Sequence, residues 1–231
     1  MTENLKNLIF FDFETSTSDV FYIVGFRENN SQYLKRVVLN SELKGVAEAK
    51  KLLVQEPISF IIDLLNLALE NSATLVAYST AEKDMINQVL NSYNKERYLK
   101  LRYLNLRKAG KKWINKYKKN EFENLPLFRK NQKWLKEKSL QNSLASVMRL
   151  TDYSCPTDYQ PGKTSTKFTL IANILKKKNQ DFDQLTPRQK KKVTEVFKHN
   201  EFDVNALEVL FNTINNIDKT CLENSITNLF D

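Results

Sequence analysis

Three short runs near the start of the chain, LIFFDFE (Leu8 to Glu14), VFYIVGFR (Val20 to Arg27) and QYLKRVVL (Gln32 to Leu39), are rich in aromatic and β-branched residues. Polar turns such as ENNS separate them, so they predict three strands, and the short connections predict an antiparallel meander. From Glu42 to Glu70 the spacing becomes helical, broken near Pro57, with EAKKLLVQ before the break and ISFIIDLLNLALE after it. ATLVAYS (Ala73 to Ser79) is a compact apolar run of the kind that forms a buried strand, and AEKDMINQVLNSY continues it as a helix. RYLNLRK (Arg102 to Lys108) predicts one more strand, and everything beyond it reads as helix or loop. Ser154 to Gly162 holds two prolines and a glycine and reads as a loop. LTPRQKKKVTEVFKHNEFDVNALEVLFNTI opens with Thr186, Pro187 and Gln189, a helix cap with proline in the first turn. Its apolar positions, from Val193 to Ile214, keep helical spacing through one helix or two. The pattern is α/β: three antiparallel strands, then strands alternating with helices, in a mixed sheet with helices on both faces.

Composition narrows the chemistry. At 231 residues, 41% hydrophobic and 11% aromatic, the chain can bury a large core as one domain over 1–231. Only 4 glycines exclude Gly-rich dinucleotide loops, and Cys155 and Cys221 supply neither a disulfide framework nor zinc spacing. PGKTST (Pro161 to Thr166) resembles the tail of a phosphate loop, but Thr157 stands where its first glycine is required, so no nucleotide site is expected there. MTENLKNLIFF lacks the pattern of a secretory leader, and no run is long enough to span a membrane. A cytoplasmic protein with no membrane partner is the expectation.

Net charge is +9, and residues 95–138 alone carry +12. This segment, read as a basic helical elaboration at about 107–138, also contains Trp113, Trp134, Tyr98, Tyr103, Tyr117, Phe122 and Phe128. Lysines neutralise phosphates and interleaved aromatics stack on unpaired bases. Lys111, Lys112, Trp113, Lys118 and Lys119 are therefore the expected nucleic-acid contacts. The competing reading is a solvated face whose aromatics point into the core.

The acids carry the sharpest signal. In IFFDFETS, Asp12 and Glu14 lie two apart on a predicted strand, so they share one face while Phe11 and Phe13 take the other. Such a pair either shares a cation or meets water at a strand end. In HNEFD, His199, the only histidine, and Asp203 share a helix face. FFDFET on a first strand, an acid after a central strand and HNEFDV on a late helix together resemble the three motifs of the DEDD exonuclease superfamily. FYIVGF and SLQNSLASVMRL add to the likeness, which spans residues 8 to 211. The element order is similar to that of the ribonuclease H-like fold.

This resemblance implies a metal-dependent 3′–5′ exonuclease acting on a single-stranded end of DNA or RNA. It implies that Asp12, Glu14 and Asp203 hold two Mg²⁺ or Mn²⁺ ions, with Glu82 acting through a bound water. One ion activates the attacking water and the other stabilises the leaving oxygen. His199 would serve as general base or orient the water. Its separation from Asp203 by three residues is the spacing of the superfamily's tyrosine branch. The second motif departs from the usual Asn-x-x-Phe-Asp, leaving Glu82 and Asp84 as alternatives; Glu82 shares its helix face with Met85, Ile86 and Val89, whereas Asp84 leans to the polar side. A non-catalytic nucleic-acid-binding module and an endonuclease on the same fold are the rival readings.

Overall fold

The computed structural model describes residues 5–16, 20–29, 31–91, 93, 95–125, 143–156 and 164–231. Strands β1 (Leu8–Thr15), β2 (Phe21–Glu28) and β3 (Lys35–Val38) form the expected antiparallel meander, with Asp12 opposite Gly25 and Glu14 opposite Ile23. After helices α1 (Lys44–Lys50) and α2 (Pro57–Glu70), strand β5 (Thr74–Ala77) pairs parallel to β1. Helix α3 (Ala81–Val89) follows, and β6 (Arg102–Asn105) pairs parallel to β5. Two short edge strands complete a seven-stranded sheet in the order β4-β3-β2-β1-β5-β6-β7. They are β4 (Leu53–Val54), parallel to β3, and β7 (Ile226–Asn228), antiparallel to β6. This mixed sheet flanked by helices is compatible with a ribonuclease H-like arrangement.

The edge strands are the elements that the sequence pattern misses. EAKKLLVQ reads as continuous helix, but Lys51 takes a left-handed conformation (φ 54°) that ends α1 and releases Leu53 and Val54 to pair with Val37 and Val38. ITN is too short to show alternation, and its pairing on β6 is set by tertiary contact. RYLNLRK is a strand only as far as Asn105, whose side chain accepts the Lys108 N–H and starts helix α4 (Leu106–Trp113).

Beyond α4 a π-helical turn (Ile114–Lys118) leads into α5 (Lys119–Glu123). Helices α6 (Leu144–Met148), α7 (Thr164–Lys177), α8 (Pro187–Asp218) and α9 (Thr220–Glu223) follow. The capping box of Thr186 and Gln189 is present, and α8 runs unbroken for 32 residues because no Gly or Pro interrupts it after Pro187. No helix among the described residues is long and apolar enough to cross a membrane.

Period-2 alternation along β1 divides the core. Ile9, Phe11 and Phe13 pack under α2 and α3 with Leu75, Ala77 and Tyr103. Leu8 and Phe10 face the other way and pack with Val76, Leu104, α4 and α8. A third cluster joins Tyr22 and Val38 to α1, α7 and the start of α8, with Tyr22 stacked on Phe168 at 5.2 Å.

Helix α4 buries Leu106, Ala109, Gly110 and Trp113, one face at helical spacing, into the second of these clusters. It therefore forms a wall of the central core; residues 126–138 of the expected elaboration lie outside the described residues. Trp113 is among the largest fully buried side chains. Trp113→Ala should lower stability by about 3–5 kcal/mol through the cavity it leaves, read as a fall in the urea unfolding midpoint.

Candidate functional site

Strand β1 carries the two phenylalanines Phe11 and Phe13 to one side, which obliges Asp12 and Glu14 to face α8. Opposite them, the apolar stripe of α8 (Val193, Val196, Phe197, Val204, Leu207) is interrupted by two polar residues, Asn200 and Asp203, both buried. Asn200 donates from Nδ2 to the Asp12 main-chain oxygen at 3.1 Å and to Asp12 Oδ2 at 3.0 Å. A Cβ on residue 25 would lie 2.2 Å from Asn200 Oδ1, so only glycine opposite Asp12 leaves room for this carboxamide. The bonds fix the register of helix on strand and aim Asp203 at the acids of β1.

The third element is the start of α3. Ser79 donates from Oγ to Glu82 Oε2 at 2.9 Å, accepts the Ala81 N–H, and is held in turn by Tyr103, whose hydroxyl donates to the Ser79 carbonyl oxygen. Glu82 is thereby held inward and is 9% exposed, while Asp84, two residues on, is exposed. The structure thus brings together Asp12, Glu14, Glu82 and Asp203, with His199 Nε2 3.2 Å from Asp203 Oδ2. Asp84 is left outside.

Burial and mutual repulsion act in the same direction on these acids. The Asp12 carboxyl is held well above its ordinary range, chiefly by burial, then by the charges of Asp203 and Glu82, with the Asn200 bond partly offsetting them. Glu14 is raised well above its range by burial, then by Asp12 and Asp203. Glu82 is raised by burial, against the lowering effect of its bonds to backbone and Ser79. Carboxylates repel in this way unless protons or cations lie among them.

The donor set fits divalent cations. Ligand atoms of Glu14, His199 and Asp203 all lie within 4.8 Å of one another. Glu14 Oε1 is buried and has no hydrogen-bond partner among the described residues, an acceptor that a cation would satisfy. Of the expected ligands, Glu14 and Asp203 belong to this set and Asp12 stands beside it, within reach of the Asp203 charge; carboxylate oxygens of this kind suit Mg²⁺ or Mn²⁺.

The basic segment departs from expectation in one respect. Trp113, expected to stack on bases, is wholly inside the core and would have to leave it to meet a substrate. Its position on the buried face of α4, three residues beyond Gly110 and four beyond Ala109, is the physical reason. Tyr98 and Tyr103 are buried as well; Tyr117 is exposed, its hydroxyl bonded to Asp218, and Phe128 and Trp134 lie outside the described residues. Lys111 and Lys119 are exposed, whereas Lys112 donates to the Asn224 carbonyl oxygen at 2.6 Å and Lys118 pairs with Glu121 at 2.8 Å.

Asn200, Ser79 and Gly25 are site residues that motif reading misses. For Asn200 a signal exists, because it stands at a core position of an apolar helical stripe, where an amide has to find a partner. No protein-family model matches this chain, and a search of curated proteins likewise finds no match.

The raised carboxyls give a pH dependence of definite sign. Between the ordinary carboxylate range and their raised values, the folded protein retains protons that the unfolded chain releases, so stability falls as pH rises. Asp181 and Asp218 are shifted the other way, by hydrogen bonds first from Gln184 and Lys116 respectively, and their contribution is complete below that window. In chelator, the wild type should lose urea resistance from pH 5 to pH 8, and Asp12→Asn should shrink the loss by removing one of the repelling charges.

Proposed function

We propose that this chain is a metal-dependent nuclease that hydrolyses phosphodiester bonds of DNA or RNA, of the 3′–5′ exonuclease type found in the DEDD superfamily. The observation that carries the reading is the convergence of Asp12, Glu14, Glu82 and Asp203 from β1, α3 and α8 in one buried cluster. A protein without ions to bind has no use for an arrangement that raises its own carboxyls and leaves Glu14 Oε1 unsatisfied. Two Mg²⁺ or Mn²⁺ ions bound there would supply water activation and neutralise charge developing on the leaving oxygen.

The chain's own groups have separate tasks in this reading. Asp12, Glu14 and Asp203 bind the ions, and Asn200 holds Asp12 in place through backbone and side chain together. Glu82, tethered by Ser79, orients a water in the outer coordination sphere, a role that the longer Glu side chain tolerates. His199, beside Asp203, orients or deprotonates the attacking water. Lys111 and Lys119 on the outer face of α4 and α5 attract the substrate's phosphates, in agreement with the segment's charge. A cytoplasmic setting goes with this reading, and neither Cys155 nor Cys221 forms a disulfide among the described residues.

Incubation with end-labelled single-stranded DNA and RNA, with and without Mn²⁺, tests the activity. Asp12→Asn and Asp203→Asn should each reduce hydrolysis to background while oligonucleotide binding persists; retained turnover in either variant would falsify the metal-ligand assignment. Glu82→Gln should cripple turnover and Asp84→Asn should change it little, with folding checked by circular dichroism. The reverse ranking would make Asp84 the functional acid.

The surface lysines have their own readout. Charge reversal at Lys111 and Lys119 should weaken oligonucleotide binding and flatten the slope of log affinity against log salt by roughly 0.7 for each phosphate no longer neutralised. An unchanged slope would make this surface a solvated face.

A further inference from the structure

The three parallel strands β1, β5 and β6 end at the same edge of the sheet, and the acids gather there. Asp12 and Glu14 lie on the latter half of β1, and Tyr78 and Ser79 follow directly after β5. Arg107 is the second residue after β6, and its N–H donates to the Tyr78 carbonyl oxygen at 2.7 Å, which pins the first turn of α4 against the end of β5. The partly buried Tyr78 phenol feels both Arg107 and Asp203: desolvation raises it first, the Arg107 charge works against that rise, and the Asp203 charge adds to it. The guanidinium and the Asp203 carboxylate therefore both stand within Coulombic reach of the same ring.

Among the described residues no ion-pair or hydrogen-bond partner accounts for the Arg107 side chain. Its Nε is buried and makes no hydrogen bond, and among the described residues no carboxylate pairs with it. The other arginines with a buried, unsatisfied Nε, Arg27 and Arg36, both pair through Nη2, with Glu208 and Glu201 respectively. A cluster of acids repels a phosphodiester, so a substrate phosphate entering it needs a cation from the protein as well as from bound ions. Arginine's planar fork matches phosphate oxygens in a way that lysine does not.

We infer that Arg107 binds the non-bridging oxygens of a substrate phosphate at the rim of the carboxylate cluster, and so sets where the nucleic-acid backbone lies on the carboxyl edge of the sheet. Lys108 and Lys111 continue outward from it along α4, both exposed, and mark the direction in which the next phosphates run. The inference rests on the nuclease reading and adds a substrate contact to it.

The test compares wild type, Arg107→Gln and Arg107→Lys for kcat/KM on a labelled single-stranded oligonucleotide in Mn²⁺, and for Mn²⁺ affinity by calorimetry. Arg107→Gln should lower kcat/KM by roughly 10-fold to 100-fold, the worth of a charge-assisted hydrogen bond, with Mn²⁺ affinity and thermal midpoint unchanged. Arg107→Lys should recover part of the loss as a point charge. Unchanged kcat/KM in Arg107→Gln overturns the inference, as does a loss matched by an equal fall in Mn²⁺ affinity or thermal midpoint, which assigns Arg107 to structure. Mn²⁺-dependent hydrolysis absent from the wild type itself overturns the nuclease reading, and this contact with it.

Discussion

Carboxylates gathered in a space shielded from water repel one another, and the rest of this structure is arranged around holding them there. Asp12 and Glu14 reach the site because a strand alternates, Asp203 because it stands on the inward stripe of α8, and Glu82 because Ser79 pulls it in from the start of α3. None of these placements is independent. The Asn200 carboxamide spans α8 and β1, Gly25 on β2 makes room for it, and Tyr103 on β6 fixes Ser79 from beneath. A change of register in any of the three strands would separate the acids.

That arrangement explains an imbalance in the core. The face of the sheet under α2 and α3 is conventional, built from Phe11, Phe13, Phe60, Leu64 and Leu75. The face under α8 gives up apolar burial at Asn200 and Asp203 and places an amide and an acid where valine or leucine would pack. Tyr153 stacked on Phe202 at 5.2 Å, and the Phe10–Phe211 edge contact, add aromatic packing to the same helix. Apolar packing around the site thus offsets the electrostatic cost of gathering the carboxylates.

Much of this is legible in the sequence. The shared face of Asp12 and Glu14 follows from period 2, the inward turn of Glu82 from period 3.6, and the mixed α/β character from three strand runs followed by alternating helix and strand. The elements that are not legible are those whose cause is tertiary. Leu53 and Val54 form a strand because Lys51 breaks the helix with a left-handed turn, and Ile226 to Asn228 form one because β6 offers an open edge. Trp113 misleads for a similar reason. Basic residues surround it in the sequence, and only the contact of α4 with α8 shows that its own face of the helix is the buried one.

The central claim is that the acid cluster exists to bind divalent cations. Calorimetric titration of metal-free protein with Mn²⁺ tests it most directly, with Glu14→Gln and Asp203→Asn beside the wild type. Two ions per chain are expected on the wild type and a loss of binding in both variants, with Mn²⁺ at about 100 times its dissociation constant stabilising the wild type against urea by about 2.7 kcal/mol for each ion bound. Binding that is absent from the wild type, or that survives unchanged in both variants, would contradict it.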